Sequence, residues 1–115
     1  MIRFGRWGWG TLAGAALITS AMLVPFDALA QGKAASDVYL DKCAVCHGPD
    51  GAGKTAKGKK LKVKDVRETI VKLTSDQMIE VVTKGKAPDM DAYAKELPAD
   101  QIKQIVEYYR GLAKK

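Results

Sequence analysis

Both cysteines and the single histidine of this 115-residue chain fall within five consecutive positions, Cys43-Ala44-Val45-Cys46-His47. No other feature restricts the possible folds as tightly. Residues three apart lie on one face of a helix, so both thiols can reach the same flat group from one side. Two cysteines make no disulfide framework, so a small domain needs some other staple. A zinc site requires further ligands, and the sequence holds no second Cys/His pair. A thioredoxin-like dithiol requires a βαβ scaffold, and no convincing alternating strand is present.

C-x-x-C-H is also the attachment signature of c-type haem, in which the thiols take the two vinyl groups and the imidazole takes the iron. The rest of the chain is consistent with a covalent porphyrin. Arg3 and Arg6 precede an uncharged stretch over residues 7–26, followed by Ala28-Leu29-Ala30. A positive start, a short apolar middle and an Ala-x-Ala site describe a secretory signal cut after Ala30. A retained anchor is the competing reading, since about 20 apolar residues can span a bilayer. Four glycines within residues 1–14 weaken that reading. The arginines are not adjacent, so the twin-arginine signal is absent. The chain thus divides into a cleavable signal peptide, residues 1–30, and one domain, residues 31–115, expected in the periplasm without a membrane attachment.

Taking 30 residues from 115 leaves 85, a size at which an apolar core alone is marginal. The loss of Arg3, Arg6 and Asp27 takes the net charge from +6 to +5. Trp7, Trp9, Phe4 and Phe26 also go, leaving Tyr39, Tyr93, Tyr108 and Tyr109 as the only aromatics. Four tyrosines make a thin core, and a large apolar body is missing from it. Multidomain enzymes, repeat arrays and polytopic membrane proteins are excluded by length.

Periodicity predicts an all-α domain. Ser36 is a candidate cap for a first helix through Val38, Tyr39, Leu40, Cys43 and Cys46, stopped by Gly48-Pro49. Residues 50–64, rich in glycine and lysine, read as a loop. A short helix is expected over 64–72. Thr74 or Ser75 caps the next, with Met78, Ile79, Val81 and Val82 apolar and Gly85 at its end. Residues 86–97 are irregular. The last helix is expected at about 99–111, with Ile102, Ile105, Val106 and Tyr109 on one side.

On these residues the chain resembles a class I c-type cytochrome, in the style of the small c6, c553 and c555 proteins. The likeness spans nearly all of residues 36–115. Val38-Tyr39 match an apolar–aromatic pair before the first cysteine, and Cys43-Ala-Val-Cys-His47-Gly-Pro-Asp-Gly-Ala-Gly53 is similar to the haem segment. Residues 73–85 resemble the third helix, and residues 102–112, with Tyr108, the C-terminal helix. The resemblance implies three to five helices around one covalent haem c, with Cys43 and Cys46 as thioethers and His47 as proximal ligand. It also implies that the Pro49 carbonyl accepts the His47 Nδ1 proton. Ala35 departs from the family's frequent glycine at the helix crossing, and Asp91 from the proline after the distal methionine.

Methionine is the expected second axial ligand, a soft thioether that raises the potential. Met78 sits among apolar residues of a predicted helix, where methionine usually fills core. Met90 lies in an irregular loop that can wrap the far face of a porphyrin, and Met90-Asp-Ala-Tyr93 resembles the family's Met-Pro-x-aromatic. Met90 is therefore the favoured ligand. Lys54, Lys57, Lys59, Lys60, Lys62 and Lys64 crowd one segment, which reads either as a solvated loop or as a docking face for an acidic redox partner. No aromatic interleaves residues 54–64, so nucleic-acid stacking is unattractive. The expectation is an exported, monomeric single-electron carrier and not an enzyme. Two alternatives stay open: a haem protein with a vacant distal site that binds gas or acts like a peroxidase, and a C-x-x-C dithiol protein without haem.

Overall fold

The computed structural model describes residues 33–115, so the expected leader over residues 1–30 lies outside the described residues. Five helices follow one another, and among the described residues there is no strand, only an isolated bridge between Lys86 and Met90. The first helix, α1, runs over residues 35–47 in three parts: α-helical Ala35–Val38, a wider π-helical turn Tyr39–Cys43, and α-helical Ala44–His47. Then come α2 (Ala56–Lys60), α3 (Val66–Lys72), α4 (Ser75–Lys84) and α5 (Ala99–Leu112).

Most helix limits follow from local chemistry. Asp65 caps α3 by accepting from Arg67 N, and Thr74 with Gln77 forms a reciprocal capping box at α4. Gly85, at φ +72°, ends α4 as expected. Two expectations need correction. The first helix starts at Ala35 with Ala34 at its cap and no side-chain cap bond, so Ser36 lies inside it. The presumed loop over residues 50–64 contains α2, because Thr55 Oγ1 accepts from Gly58 N at 2.9 Å and nucleates a turn.

Helix α5 organises the core. Ile102, Ile105 and Val106, three and four residues apart, are each 2% exposed on its inner side. Ile102 and Ile105 cluster with Val38 and Tyr39 of α1, Val66 of α3 and Leu97. Ala35, at the position where the family often has glycine, packs against this cluster from the start of α1. Tyr39 is nearly fully buried, with its ring 5.3 Å from that of Tyr108 and 6.0 Å from that of Tyr109. Its hydroxyl donates to the Gly48 carbonyl at 2.7 Å, which fixes the chain immediately after His47. The fold thus clamps both ends of the C-x-x-C-H segment.

Candidate haem site

The last two turns of α1 present Cys43, Cys46 and His47 to a cleft whose other walls come from α4, α5 and the loop after α4. The deeper part is lined by Tyr39, Leu73, Met78, Val81, Ile105 and Tyr109, among others, and its surface is almost wholly apolar. The outer part, about 320 Å3, is bounded by Cys46, Val45 and Leu61 on one side and by Met90 and Tyr93 on the other. Cys43, His47, Val81 and Met90 border both parts. This is the apolar space that the thin tyrosine core anticipates.

The helix end that carries the motif is held from several directions. Gly53 N donates to the His47 carbonyl at 2.8 Å. Thr55 Oγ1 donates to the Val45 carbonyl at 2.8 Å while it caps α2, so one hydroxyl joins the two helices. Gly58 of α2 packs directly on the Cys46 carbonyl, where a side chain would collide. Neither Thr55 nor Gly58 stands out in the sequence. The Thr-x-x-Gly spacing carries the cap signal, but the surrounding glycine and lysine conceal it.

His47 is half-buried, and its desolvation holds the imidazole below the usual histidine pKa, leaving a neutral ring suited to metal ligation. Its ring stands edge-on to Tyr109, with centroids 5.3 Å apart and planes at 72°. Nδ1 is buried and has no hydrogen-bond partner, so the bond to the Pro49 carbonyl is not formed here. The Gly48 carbonyl is occupied by Tyr39 and by Gly51 N at 3.1 Å. The Cys43 thiol is pushed up to about 11 by burial, against the opposing effect of Lys42. Both cysteines are free and half-buried.

Met90 is delivered by a doubled-back loop. Lys86 N donates to the Met90 carbonyl at 2.8 Å and Met90 N to the Lys86 carbonyl at 2.9 Å. Gly85 permits this return, since a Cβ there would lie 2.7 Å from the Met90 carbonyl oxygen and 2.6 Å from Ala92 N. Tyr93 N donates to the Val82 carbonyl at 3.0 Å, and Lys42 pairs with Glu96 at 2.9 Å, which ties the loop to α4 and α1. Met78 also lines the deep part, but it is 5% exposed and its Sδ accepts from Arg110 at 3.8 Å.

The lysines expected as a face are all exposed over residues 54–64. Lys57, Lys62 and Lys64 border the outer cleft, and the fold adds Lys42 and Lys86 to its rim. Among the described residues no helix is long and apolar enough to cross a membrane.

A cleft with two thiols, a neutral orphaned imidazole, a thioether, an apolar inner part and a charged outer rim fits a covalently tethered haem. The comparisons with known proteins agree. The family described as cytochrome C oxidase, cbb3-type, subunit III matches residues 30–108. The chain belongs to this family of c-type cytochromes. Among solved structures it is similar to KustC0563, a c-type cytochrome, at 27% identity and a TM-score of 0.64, covering 70% of this chain and 98% of that one. A tyrosine-to-phenylalanine variant of the same protein matches at 26% identity and 0.63, covering 70% and 99%. No curated protein sequence matches the chain. This cytochrome is an all-α, haem c-containing electron-transfer protein and not an enzyme, and it exchanges electrons with redox partner proteins.

Proposed function

We propose that this cytochrome is an exported, monomeric carrier of single electrons whose iron is held by His47 and Met90. Cys43 and Cys46 tether the porphyrin as thioethers. The observation that carries the reading is the cleft itself: Met90 is the one methionine among the described residues that borders both of its parts, together with Cys43 and His47. The haem supplies one-electron exchange between ferric and ferrous iron. The chain supplies everything that makes this exchange repeatable. His47 donates a neutral nitrogen, Tyr109 braces its ring, and the bridge between Lys86 and Met90 holds the thioether in a fixed loop. Val81, Val82 and Ile105 keep water from the buried side. With its other nitrogen committed to iron, His47 needs an acceptor for Nδ1–H, and we assign that role to the Pro49 carbonyl in the haem-loaded protein.

Residues 1–30 act as a secretory leader cut after Ala30, which delivers the domain to the periplasm, where haem c is attached. The exposed lysines of residues 54–64, with Lys86 across the rim, form a positive docking face for an acidic redox partner. The decisive test is an optical spectrum, oxidised and reduced, of haem-loaded parent and Met90→Ala. A low-spin parent and a high-spin, carbon-monoxide-binding variant are expected. An unchanged spectrum in Met90→Ala would overturn the assignment of Met90.

A further inference from the structure

Two thioethers line one cleft, and only one can occupy the sixth position on iron. Met78 and Met90 both border the deep part beside His47. Nothing in their chemistry separates them, so the selection must come from their surroundings. Met90 is presented by a loop, and among the described residues no donor reaches its sulfur. Met78 is different, because the Arg110 guanidinium reaches over from α5. Arg110 Nη1 lies 3.3 Å from the Leu73 carbonyl and 3.8 Å from Met78 Sδ. The carbonyl fixes the guanidinium, and the guanidinium then engages one of the two sulfur lone pairs, which restrains the side chain and makes the thioether a poorer donor to a metal.

We infer that Arg110 is the positioning residue that selects the iron ligand: anchored on the Leu73 carbonyl, it holds the Met78 thioether back and leaves the distal position to Met90. This rests on the reading of Met90 as ligand and adds what enforces it. A thioether is a weak acceptor, so the contact is worth a modest preference, roughly tenfold between the two sulfurs, or about 1.4 kcal/mol. Arg110 is half-buried and its removal costs some packing. A purely structural role would lower stability in every background without creating a new bond to iron.

The experiment uses the haem-loaded full chain and reads the thioether-to-ferric-iron absorption band together with carbon monoxide affinity after reduction. Met90→Ala alone should lose the band and bind carbon monoxide. Adding Arg110→Leu should restore the band in most molecules and weaken carbon monoxide binding at least tenfold. A further Met78→Leu should abolish both effects, which identifies Met78 as the new ligand. Arg110→Gln, which keeps a donor for the Leu73 carbonyl, replaces Arg110→Leu if the latter does not fold. If the Met90→Ala, Arg110→Leu protein stays as open as Met90→Ala, the selecting role of Arg110 is wrong. If Met90→Ala alone keeps the band, Met78 already ligates, which sinks both that role and the Met90 reading. If the parent has no thioether band, the Met90 reading fails by itself. Arg110→Leu in the parent then decides, the appearance of a band supporting the inference and its absence overturning it.

Discussion

Gly58→Ala and Gly111→Ala are the same substitution in two helices, and the structure assigns them opposite signs. In an open helix, alanine in place of glycine gains about 0.5–1 kcal/mol through the lost freedom of the unfolded chain. Gly111, in the last turn of α5, has nothing within 4 Å of the point where a Cβ would stand, so the full gain applies. Gly58 in α2 is buried, and its Cβ would collide with the Cys46 carbonyl, lie 2.6 Å from the Gly53 carbonyl oxygen and 2.9 Å from Thr55 Oγ1. Two of these neighbours are backbone and cannot rotate away. Overpacking of this kind costs about 1–3 kcal/mol, whose middle value exceeds the propensity gain and leaves a net loss of about 1 kcal/mol. Guanidinium and thermal unfolding of the haem-loaded proteins measure the difference. For a domain of this size roughly 4–8 °C accompany each kcal/mol, so Gly58→Ala should fall by roughly 4–8 °C while Gly111→Ala rises by a few degrees. A Gly58→Ala protein as stable as the parent would refute the claim that α2 is seated directly on the haem-attachment helix.

Tyr39→Phe removes the hydroxyl from the Gly48 carbonyl, which keeps its bond from Gly51 N, so the expected cost is about 1 kcal/mol by chemical denaturation. The same hydroxyl gives the parent a pH dependence that the variant lacks. Burial raises the Tyr39 pKa above the ordinary tyrosine value of 10.0, so its contribution is fully present below pH 10 and is lost as the pH rises from there toward the folded-state pKa. Alkaline unfolding curves of the two proteins should therefore converge above pH 10. Lys62 holds φ +57°, a left-handed conformation that disfavours a side chain, so Lys62→Gly should raise stability by about 1 kcal/mol. The same change removes a rim charge and should slow reduction by an acidic partner at low salt, measured by stopped flow. Thr74→Ala breaks the capping box of α4 and should cost about 1 kcal/mol in a denaturant titration.

How far the sequence could be read depended on whether each signal was local. The α4 capping box, its Gly85 stop and the inner side of α5 are local, and the chain folds where their periodicity places them. Helix α2 was hidden because its composition of lysine and glycine is that of a loop. It is a helix because Thr55 bonds both its own turn and the Val45 carbonyl, a contact ten residues back. The π-helical turn at Tyr39–Cys43 left no mark in the hydrophobic pattern, since Val38 and Tyr39 are buried and Leu40 is 50% exposed, much as an ordinary helix would have them. Arg110 was equally invisible, since its partners lie 32 and 37 residues away. The motif and the capped, periodic helices are sequence-local, whereas α2, the π-helical turn and the neighbours that tune the site are set by packing.

The thin core has its own consequence for the chain without haem. The outer cleft alone is about 320 Å3. At roughly 24 cal/mol per Å3, leaving such a space unfilled costs about 8 kcal/mol, an upper bound because the cleft opens to solvent. A domain of 85 residues has a net stability of about 4–13 kcal/mol. Even a fraction of that bound is large beside the net stability, so the haem is expected to serve as part of the core and not merely as its cargo. Cys43→Ser with Cys46→Ser, which prevents attachment, should therefore give a chain with weak, non-cooperative thermal unfolding by far-ultraviolet circular dichroism. Its amide protons, including those of Ile105 and Val106 in α5, should exchange within minutes. A haem-free variant that melts in one sharp transition near the parent's temperature would show that the helices close the cleft by themselves, and the fold would then owe its stability to the polypeptide alone.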